Sequence, residues 1–385
     1  MNIIRKRIGI IGGGQLGKMM ILEAKRLGFY VVTLDPTADC PSHSISDEHI
    51  VAPFDDEKAY QELASKVDVI TYEFEHIHAR ALEALEKEGN LVYPSIASLK
   101  IIQNKFTQNQ ALDESGIPLP RFASVRNAQD ILDIGDSSAF GFPLMLKATL
   151  GGYDGKGNAF ISSEADIQSA FESLGAGSIE LMAEEFVDFD MEISIIATRG
   201  IDGRRVVYPP AENKHSNSIL DTTIAPARIK PETAQKAIDI ADKVMEVFEG
   251  VGTFCVEMFV TNDNEILVNE VAPRPHNSGH FTIEACFANQ FENHIRAITG
   301  LPLGSAELIK PAVMINLLGE SDGPARLLGL EESYNDNSNL HVHFYGKSTS
   351  AADRKMGHLT TIGDTVEQAL DRAIRAKKIV RIIGE

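Results

Sequence analysis

The sequence has few cysteines and no long apolar run. Its 385 residues include three cysteines, Cys40, Cys255 and Cys286, too widely spaced for a disulfide framework or a metal-ligand pattern. We therefore expect reduced thiols in a cytoplasmic protein. No stretch approaches the ~18 consecutive apolar residues of a membrane span. The basic first residues lead into an apolar run that glycines interrupt, which argues against a secretory signal.

Positive charge is also scarce. The chain has 36 Lys and Arg residues against 55 Asp and Glu residues, which gives a net charge of −19. So acidic a surface repels phosphodiester backbones, and a nucleic-acid partner is not expected. Anionic small molecules still fit where local cations, backbone N–H groups or a metal reverse the field. The length and the 43% hydrophobic content predict two or three globular domains.

The first part of the chain alternates strands and helices. A strand, a glycine turn, a helix over 18–27 and a strand over 30–34 predict one βαβ unit of a parallel sheet. A short strand over 91–93 and one helix over 98–111 should complete this domain. Gly-x-Gly-x-x-Gly over 12–17, followed by Asp35, has the form of the dinucleotide fingerprint. An NAD-dependent oxidoreductase is one interpretation, and a Rossmann-like domain holding another phosphorylated ligand is favoured over it.

A second glycine run, Gly151 to Gly157, follows a predicted strand that contains Lys147. Four glycines in seven residues cost conformational entropy that a simple connection does not require. The run predicts a flap whose backbone N–H groups wrap phosphates, with Lys147 and Lys156 supplying charge. A flexible hairpin turn is the alternative.

Two acidic residues lie on a predicted hairpin over 253–271, where apolar and polar residues alternate around Thr-Asn-Asp-Asn. Regular pairing sets Glu257 opposite Val268, with Glu270 two residues further along on the same face. Carboxylates placed so should repel unless a cation lies between them. Oxygen ligands favour Mg²⁺, and no His/Cys set with zinc spacing is present. Asn269 joins this face only if the strand bulges or ends there.

Three polar runs complete the candidate features. Residues 184–192 mix acidic and apolar side chains, either as an ordinary strand connection or as an adenine-binding edge. Residues 272–280 carry Arg274 beside the predicted metal face, where it could hold a carboxylate or bicarbonate. Residues 353–358 place two cations beside a glycine, either as a solvated turn or as an anion contact.

Five runs together resemble one family. They are Gly-Gly-Gly-Gln-Leu-Gly-Lys-Met (12–19), Thr-Tyr-Glu-Phe-Glu (71–75), Gly-Gly-Tyr-Asp-Gly-Lys-Gly (151–157), Asn-Glu-Val-Ala-Pro-Arg-Pro-His-Asn-Ser-Gly-His (269–280) and Arg-Lys-Met-Gly-His (354–358). In this order they resemble the 5-(carboxyamino)imidazole ribonucleotide synthases of the ATP-grasp superfamily, the ATPase subunits of phosphoribosylaminoimidazole carboxylase. The resemblance covers nearly the whole chain.

The resemblance implies a mixed α/β and α+β fold in three domains. These are a Rossmann-like pre-ATP-grasp domain over 1–110, an ATP-grasp domain over 111–298 and a small β-rich C-terminal domain over 299–385. A homodimer is expected. The implied reaction uses ATP and Mg²⁺, with Mn²⁺ as a substitute, to carboxylate 5-aminoimidazole ribonucleotide with bicarbonate in purine biosynthesis. ADP and phosphate are released through a carboxyphosphate intermediate.

The resemblance also assigns residues by position. ATP would contact Lys105, Lys147, Gly152, Tyr153, Asp154, Gly155, Lys156, Gly157, Asn158, Glu184, Glu185, Phe186, Val187, Glu192, His215, Asn269 and Glu270. Mg²⁺ would be held by Glu257, Asn269 and Glu270. The imidazole ribonucleotide would contact Gln15, Leu16, Glu75, Tyr153, Asp154, Arg354 and Lys355, the last two at its phosphate. Arg274, His276 and Asn277 would hold bicarbonate, and Asp154 would accept a proton from the amine.

Two further alternatives remain open at this stage. A formate-dependent glycinamide ribonucleotide transformylase would share the fold, the metal pair and an acyl-phosphate intermediate. A non-catalytic nucleotide-binding regulator would share the site but would not turn ATP over.

Overall fold

The computed structural model describes residues 6–137, 140–151 and 157–385. The predicted combination of a parallel α/β part with antiparallel α+β parts is confirmed. Among the described residues, no helix is both long and apolar enough to cross a bilayer.

The N-terminal part is a four-stranded parallel sheet in the order β3-β2-β1-β4, flanked by helices. Its elements are β1 (Arg7–Ile11), α1 (Gln15–Arg26), β2 (Tyr30–Leu34), β3 (Glu48–Ile50), α2 (Glu57–Lys66), β4 (Val69–Tyr72), α3 (Ala79–Lys87), α4 (Ile96–Gln103) and α5 (Lys105–Glu114). The predicted βαβ unit is β1-α1-β2. Its strands are apolar and buried because helices cover both faces of a parallel sheet.

Two predictions in this part were wrong. The strand expected over 91–93 is a single bridge between Val92 and Ile70. The helix expected over 98–111 is two helices, α4 and α5, separated at Asn104. Asn104 has extended backbone angles, and its Oδ1 accepts hydrogen bonds from the N–H groups of Phe106 (2.9 Å) and Thr107 (3.2 Å). Asparagine favours such a cap over a helix interior because its side chain competes for backbone hydrogen bonds.

A small antiparallel sheet follows, in the order β5-β8-β6-β7. Its elements are β5 (Phe122–Val125), α6 (Ala128–Gly135), β6 (Leu144–Ala148), β7 (Asn158–Ile161), α7 (Ile167–Ser173) and β8 (Leu181–Glu185). The two helices pack on one face of the sheet around a separate apolar core. The glycine run 151–157 connects β6 to β7, and its residues 152–156 lie outside the described residues.

The central and C-terminal parts share a nine-stranded antiparallel sheet, in which β14-β13-β9-β11-β12-β15-β19-β17 form the main path and β10 pairs with β9. The central elements are β9 (Phe189–Arg199), β10 (Arg205–Val207), β11 (Ala211–Ser216), β12 (Ile219–Ala225), α8 (Pro231–Phe248), β13 (Gly252–Thr261), β14 (Ile266–Ala272), α9 (Thr282–Ala285) and α10 (Gln290–Thr299). The C-terminal elements are β15 (Ala312–Leu318), β16 (Gly323–Leu328), α11 (Leu330–Asp336), β17 (Leu340–Phe344), β18 (Thr349–Ser350), β19 (Lys355–Ile362), α12 (Val366–Ile379) and β20 (Arg381–Gly384).

The β13–β14 hairpin forms as predicted, but its predicted register was wrong. Met258 pairs with Val268, and a β-bulge then shifts the ladder so that Glu257 lies directly opposite Glu270. In a bulge two residues of one strand oppose a single residue of the other. The extra residue here is Asn269. Its side chain can join the site only if the strand bulges there, and this bulge is present.

Apolar contacts join the N-terminal sheet to the rest of the chain. Residues of β1 and α1 share one buried cluster with Phe291, Ile295 and Ile298 of α10 and with Tyr345. Lys18 Nζ donates to the carbonyl of Tyr345 at 2.9 Å. These contacts bring the glycine turn of α1 beside the β13–β14 hairpin, with a cleft between them.

Candidate active site

One cleft of about 980 Å³ gathers most of the predicted site residues from all parts of the chain. It is lined by Gln15, Leu16, Glu75, Lys147, Asn158, Glu184, Glu185, Phe186, Val187, Glu192, His215, Glu257, Asn269, Glu270, Arg274, His276, Asn277 and Lys355. Lys105, Gly157 and Arg354 are described but do not line it. Gly152, Tyr153, Asp154, Gly155 and Lys156 lie outside the described residues.

The carboxylate pair lies in the wall of this cleft. Burial and the adjacent Glu270 carboxylate raise the pKa of Glu257 to about 7. Lys105 pairs with Glu270, with Nζ 2.6 Å from Oε2. The predicted repulsion is therefore relieved at Glu270 by this lysine. At Glu257 it remains, and a cation bound there would remove it.

Lys147 has acidic and amide partners. Its Nζ forms a buried ion pair with Glu184 and lies 3.3 Å from Asn269 Oδ1. β6 and β8 are adjacent strands, and Lys147 pairs with Met182 two residues before Glu184, which places both side chains on the face toward the hairpin. The lysine thus links the small sheet to the bulge of β14.

His215 and Glu192 form an ion pair across β11 and β9. Burial lowers the pKa of His215, but the Glu192 carboxylate outweighs it, so the pKa of His215 lies above its ordinary value. Glu185 is paired with Arg121, leaving the exposed Phe186 ring and Val187 at the cleft edge. Phe186 contacts Phe160 edge-on, with ring centroids 5.1 Å apart. Phe186 and Val187 could contact the base of a nucleoside, and the Glu192–His215 pair could contact its sugar hydroxyls.

Arg274 and Glu75 form a bidentate pair between the central part and the N-terminal part. Arg274 Nε lies 2.5 Å from Glu75 Oε2, and Nη2 lies 3.1 Å from Oε1. Although burial opposes ionisation, the guanidinium lowers the pKa of Glu75 to about 2. Both groups are therefore charged at neutral pH, and the arginine is held with its fork already oriented.

His276 and Asn277 are held by buried polar neighbours. His276 Nδ1 lies 2.9 Å from Ser278 Oγ, and burial with the nearby Arg274 lowers the pKa of His276 well below its usual range. Asn277 and Asn316 exchange two amide hydrogen bonds of 3.0 and 2.7 Å. Asn316 lies on β15, and sequence reasoning missed it, because its pairing with Asn277 depends on the packing of distant strands.

The fold brings together three possible metal-ligand atoms that the sequence spacing does not reveal. Cys255, Glu257 and His276 offer a sulfur, an oxygen and a nitrogen that all lie within 4.8 Å of one another. Cys255 and Glu257 are two residues apart on β13 and share a face, whereas His276 arrives from the following loop. Sequence spacing could not reveal this third member.

The glycine turn does not have the environment of a phosphate site. Glu73 accepts hydrogen bonds from the N–H groups of Gly14 and Gly17, both at 2.7 Å, and Asp35 accepts one from Gly13 at 2.7 Å. The N–H groups that would bind a dinucleotide's phosphates are thus occupied by carboxylates of the chain. This argues against both the NAD interpretation and another phosphate at this turn. Sequence reasoning missed Glu73, although it lies within the run 71–75.

A second cavity of about 240 Å³ adjoins the cleft and contains Arg354 and Lys347. Lys347 Nζ donates to the carbonyl of Lys355 at 2.6 Å. Burial and then the positive charge of Arg354 lower the pKa of Lys347 to about 8. Three basic residues are therefore grouped in an acidic protein, and Lys347 is a member that sequence reasoning missed.

Three family descriptions match the chain in succession. The ribonucleotide synthetase preATP-grasp domain matches residues 5–103, the ATP-grasp domain residues 110–291, and the phosphoribosylaminoimidazole carboxylase C-terminal domain residues 312–372. The internal unmatched segments are residues 104–109, at the start of α5, and residues 292–311, which include most of α10.

Proteins of known name and structure are similar over nearly the full length. N5-carboxyaminoimidazole ribonucleotide synthase of Staphylococcus aureus (strain COL) is 42% identical over 362 residues, 94% of each chain. The crystal structure of N5-carboxyaminoimidazole ribonucleotide synthetase from Thermotoga maritima has a TM-score of 0.89 at 46% identity, covering 99% of this chain and 100% of that one. N5-carboxyaminoimidazole synthase from Aspergillus clavatus, solved with ADP and 5-aminoimidazole ribonucleotide, has a TM-score of 0.89 at 33% identity, covering 98% of this chain and 99% of that one.

Proposed function

The chain belongs to the N5-carboxyaminoimidazole ribonucleotide synthase family, and from that premise we propose how its cleft serves an ATP-dependent carbon–nitrogen ligase. It carboxylates 5-aminoimidazole ribonucleotide with ATP in purine biosynthesis. We further propose bicarbonate as the carboxyl source, Mg²⁺ as the metal, a homodimer as the assembly and the cytoplasm as the location. The division into domains 1–110, 111–298 and 299–385 belongs to the same proposal.

ATP would lie between the small sheet and the hairpin. The segment 184–187 offers the adenine an apolar edge, and Glu192 with His215 faces the ribose. Lys147 supports the phosphate assignment because it lies between Glu184 and Asn269, at the border of the adenine edge and the hairpin. Lys105 would have to exchange Glu270 for a phosphate oxygen, which a metal ion on Glu270 would favour. Gly157, Asn158 and the flap residues 152–156 would close over the phosphates.

The hairpin suits a hard divalent cation. Glu257 and Glu270 face each other directly, the bulge adds the Asn269 amide oxygen, and burial together with the Glu270 charge raises the pKa of Glu257. Oxygen donors from carboxylates and an amide are the ligands that Mg²⁺ prefers. Bound there, Mg²⁺ would neutralise negative charge on the triphosphate.

Bicarbonate would be held at the loop after β14. Glu75 holds the Arg274 side chain in one orientation. The guanidinium N–H groups that do not contact Glu75 can donate hydrogen bonds to bicarbonate. His276, neutral at pH 7 by the direction of its pKa, can donate a hydrogen bond without adding charge. Asn277 is fixed by Asn316. Such prepositioned donors stabilise charge that develops during reaction at little reorganisation cost.

The reaction would proceed in two balanced steps. An oxygen of bicarbonate attacks the γ-phosphorus in line and ADP leaves, which forms carboxyphosphate. The amine of aminoimidazole ribonucleotide then attacks the carboxyl carbon, the C–O bond to phosphate breaks, and the amine loses a proton to a base. Asp154 is the proposed base. Closure of the flap would exclude water while carboxyphosphate exists.

The imidazole ribonucleotide would span the cleft and the adjoining cavity. Gln15, Leu16 and Glu75 face the cleft from the N-terminal part, and Tyr153 would approach from the flap. Arg354 and Lys355 would meet its phosphate. The grouping of basic residues there supports this orientation, since the chain as a whole repels anions.

The direct opposition of Glu257 and Glu270 is the observation that carries the proposal. We expect Glu270→Gln to abolish ADP release that depends on aminoimidazole ribonucleotide, bicarbonate and Mg²⁺ together, with circular dichroism checking the fold because the substitution removes the charged partner of Lys105. Glu265→Gln, an exposed position near the hairpin turn, is the matched control. Full activity in Glu270→Gln would refute the metal assignment. Formate replacing bicarbonate in the same assay would point instead to a glycinamide ribonucleotide transformylase.

A further inference from the structure

Cys255 has no task in the proposed reaction, yet it lies beside two residues that do. Its thiol is fully buried behind the wall of the cleft, at the edge of an apolar core cluster and next to Glu257 and His276. His276 Nε2 lies 3.5 Å from Glu257 Oε1. The three donor atoms are mutually within 4.8 Å, so small side-chain shifts would bring them to one centre.

The donor types select a particular class of metal. Zinc binds Cys sulfur at about 2.3 Å and His nitrogen at about 2.0 Å, so neighbouring ligand atoms lie roughly 3.5 Å apart. The His276–Glu257 separation is already that value. Sulfur and nitrogen donors bind zinc and its relatives far better than Mg²⁺, which prefers oxygen.

Hydrogen bonds behind these ligands hold the His276 ring in place. His276 Nδ1 accepts the Ser278 N–H at 3.3 Å and lies 2.9 Å from Ser278 Oγ, which leaves Nε2 directed toward Glu257. Ser278 is anchored by a hydrogen bond from Ser194 Oγ at 2.7 Å, and its hydroxyl also lies 3.7 Å from Cys255 Sγ. Outer partners of this kind fix the orientation of metal-bound histidines.

We propose that Cys255, Glu257 and His276 form a binding site for a soft divalent cation of the zinc class, which inhibits the enzyme by taking Glu257 from Mg²⁺. The thiol loses its proton to solvent on binding, and an open coordination position remains for water. The site itself stands on the geometry alone. The inhibitory consequence rests on the proposed function, because it requires Glu257 to serve the catalytic metal.

The binding test uses Co²⁺, which reports a thiolate ligand by a near-ultraviolet charge-transfer band and tetrahedral geometry by its visible bands. We expect wild-type protein to develop both with one equivalent of Co²⁺ and to lose them when Zn²⁺ is added. Cys255→Ser should lose the thiolate band and bind Zn²⁺ at least about tenfold more weakly, as removal of a direct ligand requires. Cys286→Ser removes another buried free thiol and should behave as wild type.

Several results would overturn the site. These are Co²⁺ binding without a thiolate band, an unchanged Zn²⁺ affinity in Cys255→Ser, or the same loss in Cys286→Ser. Cys255→Ala guards against a folding defect in the serine variant, and both are checked by circular dichroism. X-ray absorption at the zinc edge on wild-type protein needs no variant. One sulfur neighbour is expected there, and a shell of oxygen and nitrogen alone would contradict the site.

The inhibition test measures ADP release at fixed Mg²⁺ while Zn²⁺ is varied. We expect wild type to be inhibited and Cys255→Ser to need at least about tenfold more Zn²⁺, with similar activity when Zn²⁺ is absent. If Co²⁺ binds through the thiolate but Zn²⁺ does not inhibit, the site exists and the inhibitory role is wrong. If wild type shows no substrate-dependent ADP release at all, the proposed function fails and the spectroscopic result still decides the site.

Discussion

Three cationic side chains in or beside the cleft have carboxylate partners from other elements before any ligand arrives. The pairs are Lys105 with Glu270, Lys147 with Glu184 and Arg274 with Glu75. Removing one member of such a buried pair leaves an uncompensated charge, which costs more than the pair contributes. A phosphate that reaches Lys105 or Lys147 would therefore bind by exchanging partners, and each exchange also releases a carboxylate for another task.

We propose that Lys347, which lies beside Arg354 in the second cavity, contacts the ribonucleotide phosphate together with Arg354 and Lys355. We expect Lys347→Met to raise KM for aminoimidazole ribonucleotide roughly tenfold, the loss of one charge-assisted contact to phosphate, and to leave KM for ATP nearly unchanged. The pKa of Lys347 is lowered to about 8, so its ammonium loses its proton above that pH. In wild type the same KM should therefore rise as pH increases above 8. Steady-state kinetics with Lys310→Met, an exposed lysine, serves as control. A KM effect confined to ATP would contradict the assignment.

Some residues could be identified from the sequence and others could not. Glu257 and Glu270 follow from alternation along one hairpin, because local spacing sets the face of a strand. Asn316, Lys347 and the approach of His276 to Cys255 depend on segments brought together only by folding. Glu73 was visible in the sequence, but nothing local indicates that a carboxylate would occupy the glycine turn.

Among the elements, breaks and bulges were harder to predict than the elements themselves. The strand over 30–34 has the predicted bounds, because it shows a sustained apolar pattern with clear ends. The hairpin register depends on a one-residue bulge at Asn269, which the alternation of apolar residues does not encode.

The division between α4 and α5 yields a prediction for an element. Asn104→Ala removes the side-chain acceptor for two N–H groups of α5, and we expect a loss of about 1 kcal/mol in the free energy of unfolding. Asn104→Ser keeps a capping oxygen and should retain most of that stability. Urea unfolding of the three proteins measures the difference. Equal stability of the alanine variant and wild type would mean that the cap contributes nothing.

At the scale of the whole molecule, a buried histidine connects the parallel sheet to the antiparallel one. His294 Nδ1 accepts a hydrogen bond from the Thr253 N–H at 3.1 Å, and Nε2 lies 2.8 Å from Thr71 Oγ1. Burial lowers the pKa of His294 to about 3. The folded state therefore holds this ring neutral in a pH range where the unfolded chain protonates it.

Neutral His294 should make the folded state less stable at acidic pH. Because the unfolded chain binds the proton below about pH 6.5 and the folded chain does not, stability is complete above that pH and falls as the pH is lowered toward 3. Between pH 7 and pH 5 the free energy of unfolding should fall less in His294→Gln than in wild type, and the difference between the two proteins should be about 2 kcal/mol. His341→Gln, at an exposed position, should keep the wild-type slope. Identical slopes in all three proteins would contradict the prediction.

The carboxylates that fill the glycine turn also bear on selectivity in the cell. Oxidised and reduced dinucleotides are abundant there and would compete for an open turn of this shape. With Glu73 and Asp35 already bound to its N–H groups, such a competitor would have to displace two anions held by the protein itself. The chain's own acidic side chains thus close the turn to redox cofactors, although its glycine spacing has the form of their binding fingerprint.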